Sequence, residues 1–225
     1  MILKGRLAIA VLVQTIRIIA MVIIATKISF ADPNPDSNTP RKCTILAEFT
    51  TDLPSILLRS VHLQDIECVR WALSKGASPK VIRKELPNIS VLSVAAHTGN
   101  VEIIKELMKH GASLSEFDDS GAFTIKAAIA SGSLAAVKLL VESAKNGDIK
   151  SILNSSDPDE NDLPAMHQAI QLGASTDVLT YLISQGSNIN GKTLSGRTPL
   201  LEAASTGNVN LVNFLINQGA DVKAK

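Results

Sequence analysis

Apolar residues recur along this chain at helical spacing, in short bursts separated by glycine. Val101, Ile103, Ile104, Leu107 and Met108 lie on one face of a helix, with Glu102, Lys105 and Glu106 on the other. The same kind of burst returns at Leu134-Ala135-Ala136-Val137-Lys138-Leu139-Leu140, at Val178-Leu179-Thr180-Tyr181-Leu182-Ile183 and at Val209 to Ile216. Each follows a shorter segment rich in small residues, such as Ala95-Ala96 or Ala203-Ala204, where neighbouring helices can approach closely. Gly99 and Gly207 separate the two segments, and Gly111 and Gly219 close them, 12 residues on in both cases. A glycine there ends a short helix in a left-handed turn that a Cβ would strain. Thr198-Pro199 adds a start signal, a capping hydroxyl with proline in the first turn.

The paired-helix unit occurs five times, with closing positions at 76, 111, 144, 186 and 219. Gly121 to Gly132 repeats the 11-residue gap of Gly196 to Gly207, and Ala144 stands where a closing glycine is expected. Gly173 and Gly186 are 13 apart, which places one inserted residue near Ala174 to Asp177; in the first unit Gln64 takes the inner-glycine position. The steps are 35, 33, 42 and 33, and the long one contains an expected loop from Asn146 to Pro158. Segments Gly196-Arg197-Thr198-Pro199-Leu200-Leu201-Glu202-Ala203-Ala204-Ser205-Thr206-Gly207 and Asn208 to Asp221 together resemble the ankyrin repeat, over residues 55–225 or so. The resemblance implies an all-α solenoid of stacked helix-turn-helix units with hairpin-like loops. Expected repeats run about 54–79, 85–117, 118–150, 159–191 and 193–225, in a domain of 43–225 with an N-terminal cap over 43–53 (CTILAEFTTDL). At the other end, Asn208, Asn210, Asn213 and Asn217 predict a polar cap that frays, since asparagine is a poor helix former.

The first thirty-one residues break from this pattern. Lys4, Arg6 and Arg17 precede an eight-residue apolar run, Ile18 to Ala25, and Ser29-Phe30-Ala31 places small residues at −3 and −1. This is the layout of a signal peptide cleaved between Ala31 and Asp32. Two other readings stay open, a membrane anchor from Leu7 to Ala25, which would carry Gln14 and Arg17 within the span, and a buried core helix. Residues 32–42, opening DPNPDSNTP, read as a flexible linker. The expected location is therefore outside the cytoplasm, periplasmic or secreted and bacterial, with membrane anchoring as the alternative.

Composition then narrows the chemistry. Of 225 residues, 45% are apolar and 19% charged, enough to bury a core. Net charge is +1; removing Lys4, Arg6, Arg17 and Lys27 leaves 18 basic against 21 acidic residues, or −3, a poor match for nucleic acid or anionic lipid. Seven aromatics offer no stacking platform for bases or sugars. Cys43 and Cys68 could pair in an oxidising compartment, or Cys68 could be plain core beside Ile66, Val69 and Trp71. The sequons Asn88-Ile89-Ser90 and Asn154-Ser155-Ser156 matter only in a eukaryotic secretory route.

Catalytic and metal-binding patterns are missing. His62, His97 and His167 fall in different repeats without ligand spacing, and His110 stands at a helix end, where an imidazole suits the dipole. No GxSxG, GxxxxGK[ST] or GxGxxG occurs. Asp118-Asp119 and Asp157, Asp159 and Glu160 lack the alternating calcium-loop pattern and fall at expected hairpin tips. No enzyme, cofactor, metal or small-molecule substrate is therefore expected. The ankyrin resemblance implies that His167, at the position of the family's Thr-Pro-Leu-His histidine, hydrogen-bonds across the loop. It also implies that a protein partner meets the loop tips and the pairs before the inner glycines. Carried onto this chain, those are His97 and Thr98, Ala130 and Ser131, Gln171 and Leu172, and Ser205 and Thr206, with tip residues Asp119, Ser120, Glu160, Asn161, Ser195 and Arg197. The expected function is a non-catalytic protein-binding module on an exported chain; the alternative is a secreted effector or membrane-tethered adaptor acting on host-cell proteins.

Overall fold

Each outer helix starts at a residue whose side-chain oxygen accepts a backbone N–H three residues on. Asp65, Asn100, Ser133, Ser175 and Asn208 cap through the N–H groups of Cys68, Ile103, Ala136, Val178 and Leu211, at 3.2, 3.2, 3.3, 3.5 and 3.1 Å. A cap of this kind contributes about 1 kcal/mol. Inner helices start similarly at Asp52, Ser90 and Thr198, whereas the helix after Pro164 has no side-chain cap. The computed structural model describes residues 43, 52–80, 90–114, 122–144, 149–155 and 163–224. The expected signal peptide (1–31) and linker (32–42) lie outside them, as does the 43–53 cap apart from Cys43, Asp52 and Leu53. The chain divides into two units, 1–49 and 50–225. Cys43 is the one described residue of the first, and it is buried.

Within the second unit the described residues form eleven helices and no strand: α1 (Leu53–His62), α2 (Ile66–Ser74), α3 (Val91–Thr98), α4 (Val101–Lys109), α5 (Ala122–Ser131), α6 (Leu134–Ser143), α7 (Ile149–Asn154), α8 (Ala165–Gln171), α9 (Thr176–Ser184), α10 (Pro199–Ser205) and α11 (Val209–Asn217). Successive inner helices α1, α3, α5, α8 and α10 pack side by side, and α2, α4, α6 and α9 form a second row. The result is the expected all-α solenoid. Fully buried Ala95, Ala96, Ala128, Ala169 and Ala203 keep the inner row close, while Ile103, Ile104, Leu107, Leu140, Leu179 and Leu182 fill the space between rows. Burial of each such aliphatic side chain contributes about 1.5–3 kcal/mol.

The turns follow their residue types. Gly99, Gly132, Gly173 and Gly207 have φ of 70–72°, and Gln64 adopts the same left-handed turn at 56° despite its Cβ. At four of the closing positions the chain folds back, with the N–H groups of Ala77, Ala112, Ser187 and Ala220 donating to the carbonyls of Ala72, Leu107, Leu182 and Leu215 at 2.9–3.0 Å. Ala144 instead has φ of −76°, so the chain does not close there in the same way. The segment expected as a loop, Asn146 to Pro158, contains α7, which buries Ile152 and Leu153. Apolar residues three and four apart were enough for a helical turn once a neighbouring unit covered them.

Side-chain hydrogen bonds between units join residues 29–36 positions apart. Arg70 donates to Glu102 and Glu106, at 2.9 and 3.4 Å, and Asn154 accepts from the Asn188 N–H at 2.7 Å. Asn190 likewise accepts from the Asp221 N–H at 2.8 Å. α11 forms over its whole length, but asparagine does not make the last unit a polar cap: Val209 is 67% exposed and Ile216 40%.

Candidate functional site

In α5 and α8 the side chain six residues before the inner glycine reaches a backbone carbonyl about 30 residues on. In α8 this is His167, fully buried, whose Nε2–H donates to the Arg197 carbonyl at 3.0 Å. A carbonyl can only accept, so the proton is on Nε2. Its Nδ1 is sealed without a partner. Burial pushes the imidazole pKa below its ordinary value and outweighs the Arg197 carbonyl and Glu202, which act upward; the Arg197 charge acts downward. His167 is thus a neutral bracket across the loop, as the resemblance implied, and not a solvent-facing acid or base. In α5 the same position is Lys126, also buried, whose Nζ donates to the Ser155 carbonyl at 3.0 Å and to its Oγ at 3.3 Å. Two unlike side chains perform one job, binding a backbone carbonyl 29 or 30 residues on.

Around the His167 bracket the structure brings together two of the expected partner-binding residues through a third that the sequence did not single out. Glu202, in the first turn of α10, accepts from Gln171 Nε2 at 3.1 Å through Oε1 and from Arg197 Nε at 2.9 Å through Oε2. The Glu202 side chain is 13% exposed and that of Arg197 46%, so the carboxylate is held and the guanidinium is presented. Leu172, beside Gln171, is 54% exposed. Acid in the first helical turn, favourable at the positive end of the dipole, was the available signal for Glu202.

The remaining expected residues divide into four groups. His97 is exposed near the end of α3. Thr98, Ser131, Ser205 and Thr206 donate their hydroxyls to carbonyls of their own helices, those of Ala95, Ala128, Glu202 and Ala203, at 2.7–2.8 Å. They finish helix ends and keep only acceptor lone pairs for a partner. Ser195 shares a 2.9 Å hydrogen bond with Thr193 in the tip that carries Arg197. Asp119, Ser120, Glu160 and Asn161 lie outside the described residues, as does the tip Leu86 to Ile89.

Other chemistry is structural. His110 Nδ1 donates to the Glu106 carbonyl at 3.0 Å and sits 3.6 Å from its carboxylate. Asn154 of the second sequon donates to Lys150 and Gly186 carbonyls, so its amide is engaged. Among the described residues no group of three or more His, Cys, Asp or Glu is placed to hold a metal ion, and no helix is long and apolar enough to cross a membrane. Cys43 and Cys68, the chain's two cysteines, are both disulfide-bonded.

Comparison with known proteins agrees with this architecture. The family model for ankyrin repeats (three copies) matches residues 57–151 and 142–225. The chain is 29% identical over 134 residues to transient receptor potential cation channel subfamily A member 1 of Drosophila melanogaster, covering 60% of this chain and 11% of the channel subunit. It is 29% identical over 135 residues to the B-cell lymphoma 3 protein homolog of Mus musculus, covering 60% and 29%. With the RelA-associated inhibitor of the same species it shares 32% over 93 residues, covering 38% and 11%. The chain spans less than a third of each of these relatives. Two rows of paired helices, glycine-hinged and bracketed by a buried histidine, together with the family match over most of its length, place the chain in the ankyrin-repeat family.

Proposed function

We propose that this chain is an exported, non-catalytic binding protein that recognises another protein along its inner-helix row and loop tips. Ankyrin repeats indicate a protein–protein interaction module, generally without catalysis. The observation that carries the finer reading is the Gln171–Glu202–Arg197 cluster beside exposed Leu172. One carboxylate holds two polar side chains in place beside an apolar contact, which lowers the ordering cost of binding. A partner matched to it presents an acidic or carbonyl group toward Arg197 and an apolar side chain toward Leu172. Export is supported by the disulfide-bonded cysteines, since such bonds persist in oxidising compartments, and by the charged-then-apolar leader with its Ser29-Phe30-Ala31 site. Nucleic acid is not the partner, given the net charge of the mature chain.

The test places a photoreactive amino acid at Gln171 in the full-length protein, in its native cells, with Lys105 on α4 as the control position. A protein captured from Gln171 and not from Lys105, and lost when His97→Ala, Gln171→Ala, Arg197→Ala and Thr206→Ala are tested against wild type by pull-down, is the expected result. Equal capture from both positions refutes the assigned surface. N-terminal sequencing of the protein from the same cells checks cleavage between Ala31 and Asp32; an intact Met1 in the membrane fraction overturns the exported form in favour of the anchor.

A further inference from the structure

Asn154 and Asn190 do the same job for successive units. Each offers Oδ1 to the backbone N–H two residues past a closing glycine, Asn154 to Asn188 at 2.7 Å and Asn190 to Asp221 at 2.8 Å. Their side-chain nitrogens differ. Asn154 Nδ2 donates to the carbonyls of Lys150 and Gly186, at 2.6 and 3.0 Å. Among the described residues nothing accepts from Asn190 Nδ2, and Asn190 is exposed in the turn between α9 and α10. The residues that follow differ too: Ser155 after Asn154, Ile189 after Asn188, and Gly191 after Asn190. Without a Cβ, Gly191 leaves its nitrogen uncrowded and its backbone free to rotate toward the Asn190 side chain.

We propose that Asn190 is a site of spontaneous deamidation, at which the Gly191 nitrogen displaces the side-chain amide as ammonia. The Gly191 nitrogen gives its proton to solvent base and bonds to Asn190 Cγ. The Cγ–Nδ2 bond then breaks, Nδ2 takes a proton from solvent and leaves as ammonia, and a five-membered imide remains. Water opens that ring at Cγ to give aspartate, or at the α-carbonyl to give isoaspartate; the net change is amide plus water to acid plus ammonia. Negative charge develops on Oδ1 during the attack, and the Asp221 N–H already donates to that oxygen, as a donor in an oxyanion hole does. The Gly191 N–H donates to the Asn188 carbonyl at 3.1 Å and must first let go. That bond closes a surface turn with Asn188 and Asn190 exposed, the kind of place where local opening is cheapest. Asn154 has no such freedom, because two carbonyls hold its leaving nitrogen. Either product changes the tie to the last unit. In isoaspartate Cγ enters the main chain and its oxygen is no longer a side-chain acceptor for Asp221; in aspartate the acceptor survives but carries negative charge. The loop with Ser195 and Arg197 follows directly, so the change falls on the tip proposed to meet a partner.

Holding the purified full chain at pH 8 and 37 °C for about two weeks, then digesting it with trypsin for mass spectrometry, tests this. Asn154, Asn188 and Asn190 fall in one peptide, 151–192, while the chain's other Asn-Gly pair, Asn146-Gly147, falls in a separate one. The expected result is a gain of about 1 Da at Asn190, as a mixture of aspartate and isoaspartate, at least about tenfold more abundant than at Asn154 or Asn188. A parallel sample unfolded in urea sets the unrestrained rate, and conversion in the folded chain should come within about tenfold of it. Hydrogen exchange at the Asp221 amide should be faster in the converted chain than in fresh protein. Conversion at Asn190 no greater than at Asn154 or Asn188, or slowed more than about tenfold by the fold, overturns the site. Unchanged exchange at Asp221 in the converted chain overturns its effect on the last unit.

Discussion

Gln64 is the one described non-glycine residue with a positive φ, 56°, and it stands where four other units carry glycine at 70–72°. An L-residue in the left-handed region costs about 1–2 kcal/mol. Glycine removes that strain but adds about 0.5–1 kcal/mol of freedom to the unfolded chain. The Gln64 side chain is exposed, so little else is lost, and Gln64→Gly should stabilise the protein by about 0.5–1 kcal/mol. The reverse changes separate strain from crowding. At Gly132 an added Cβ meets nothing within 4 Å, so Gly132→Ala costs only the strain difference, again about 0.5–1 kcal/mol. At Gly99 the Cβ would lie 2.9 Å from both Ser131 Oγ and Ser133 Cβ. The hydroxyl can rotate but the Ser133 Cβ cannot, so overpacking adds a further 1–3 kcal/mol or so. Urea unfolding followed by far-UV circular dichroism ranks the four proteins by midpoint. The expected order is Gln64→Gly, wild type, Gly132→Ala, Gly99→Ala. A neutral or destabilising Gln64→Gly, or a Gly99→Ala no worse than Gly132→Ala, refutes the reasoning.

Acid should weaken the fold through His167. Its folded pKa is depressed by burial, so the stability of the neutral ring is complete above pH 6.5 and is lost as pH falls from there through the folded pKa; the urea midpoint should drop from about pH 7.5 to 5, and drop less in His167→Gln. Lys126→Ala should cost about 2–3 kcal/mol by removing a buried stem and leaving the Ser155 carbonyl unserved, while Lys126→His, which can reproduce the α8 bracket, should cost less by the same unfolding assay. Both cysteines are disulfide-bonded, so replacing Cys43 and Cys68 together by serine should lower stability by about 2–5 kcal/mol, with wild type in reductant behaving alike. A double-mutant cycle on Glu202→Ala and Arg197→Ala should give a coupling of about 0.3–1 kcal/mol, small because Arg197 is half exposed and solvent screens the pair.

The glycine spacing carried the architecture because the turn chemistry is local: a left-handed residue between two short helices needs no knowledge of the rest of the fold. The same locality explains the Thr198-Pro199 start, whereas the His167 bracket, whose partner Arg197 lies 30 residues on, was legible only through the ankyrin resemblance. What escaped depends on partners distant in sequence. Lys126 reads as surface until the Ser155 carbonyl is placed beside its amine, and α7 reads as loop until another unit covers Ile152 and Leu153. Glu202 matters only because Gln171, 31 residues earlier, reaches it. The asparagines of α11 suggested a polar end, but polarity along one strip of a helix does not cover Val209 and Ile216 on another.

Among the described residues, side-chain hydrogen bonds such as Arg70–Glu106, Lys126–Ser155 and Asn190–Asp221 join positions 29–36 apart, each linking neighbouring units. A complete unit of about 33 residues could be duplicated or deleted, and each surviving bond would find an equivalent partner at its usual distance along the chain. The number of units is therefore free to drift by unequal recombination of the gene, while the residues inside one unit are constrained together. The eight extra residues around α7 show how such drift is accommodated: an insertion falls between units, acquires two buried side chains of its own, and leaves the 33-residue steps before and after it intact.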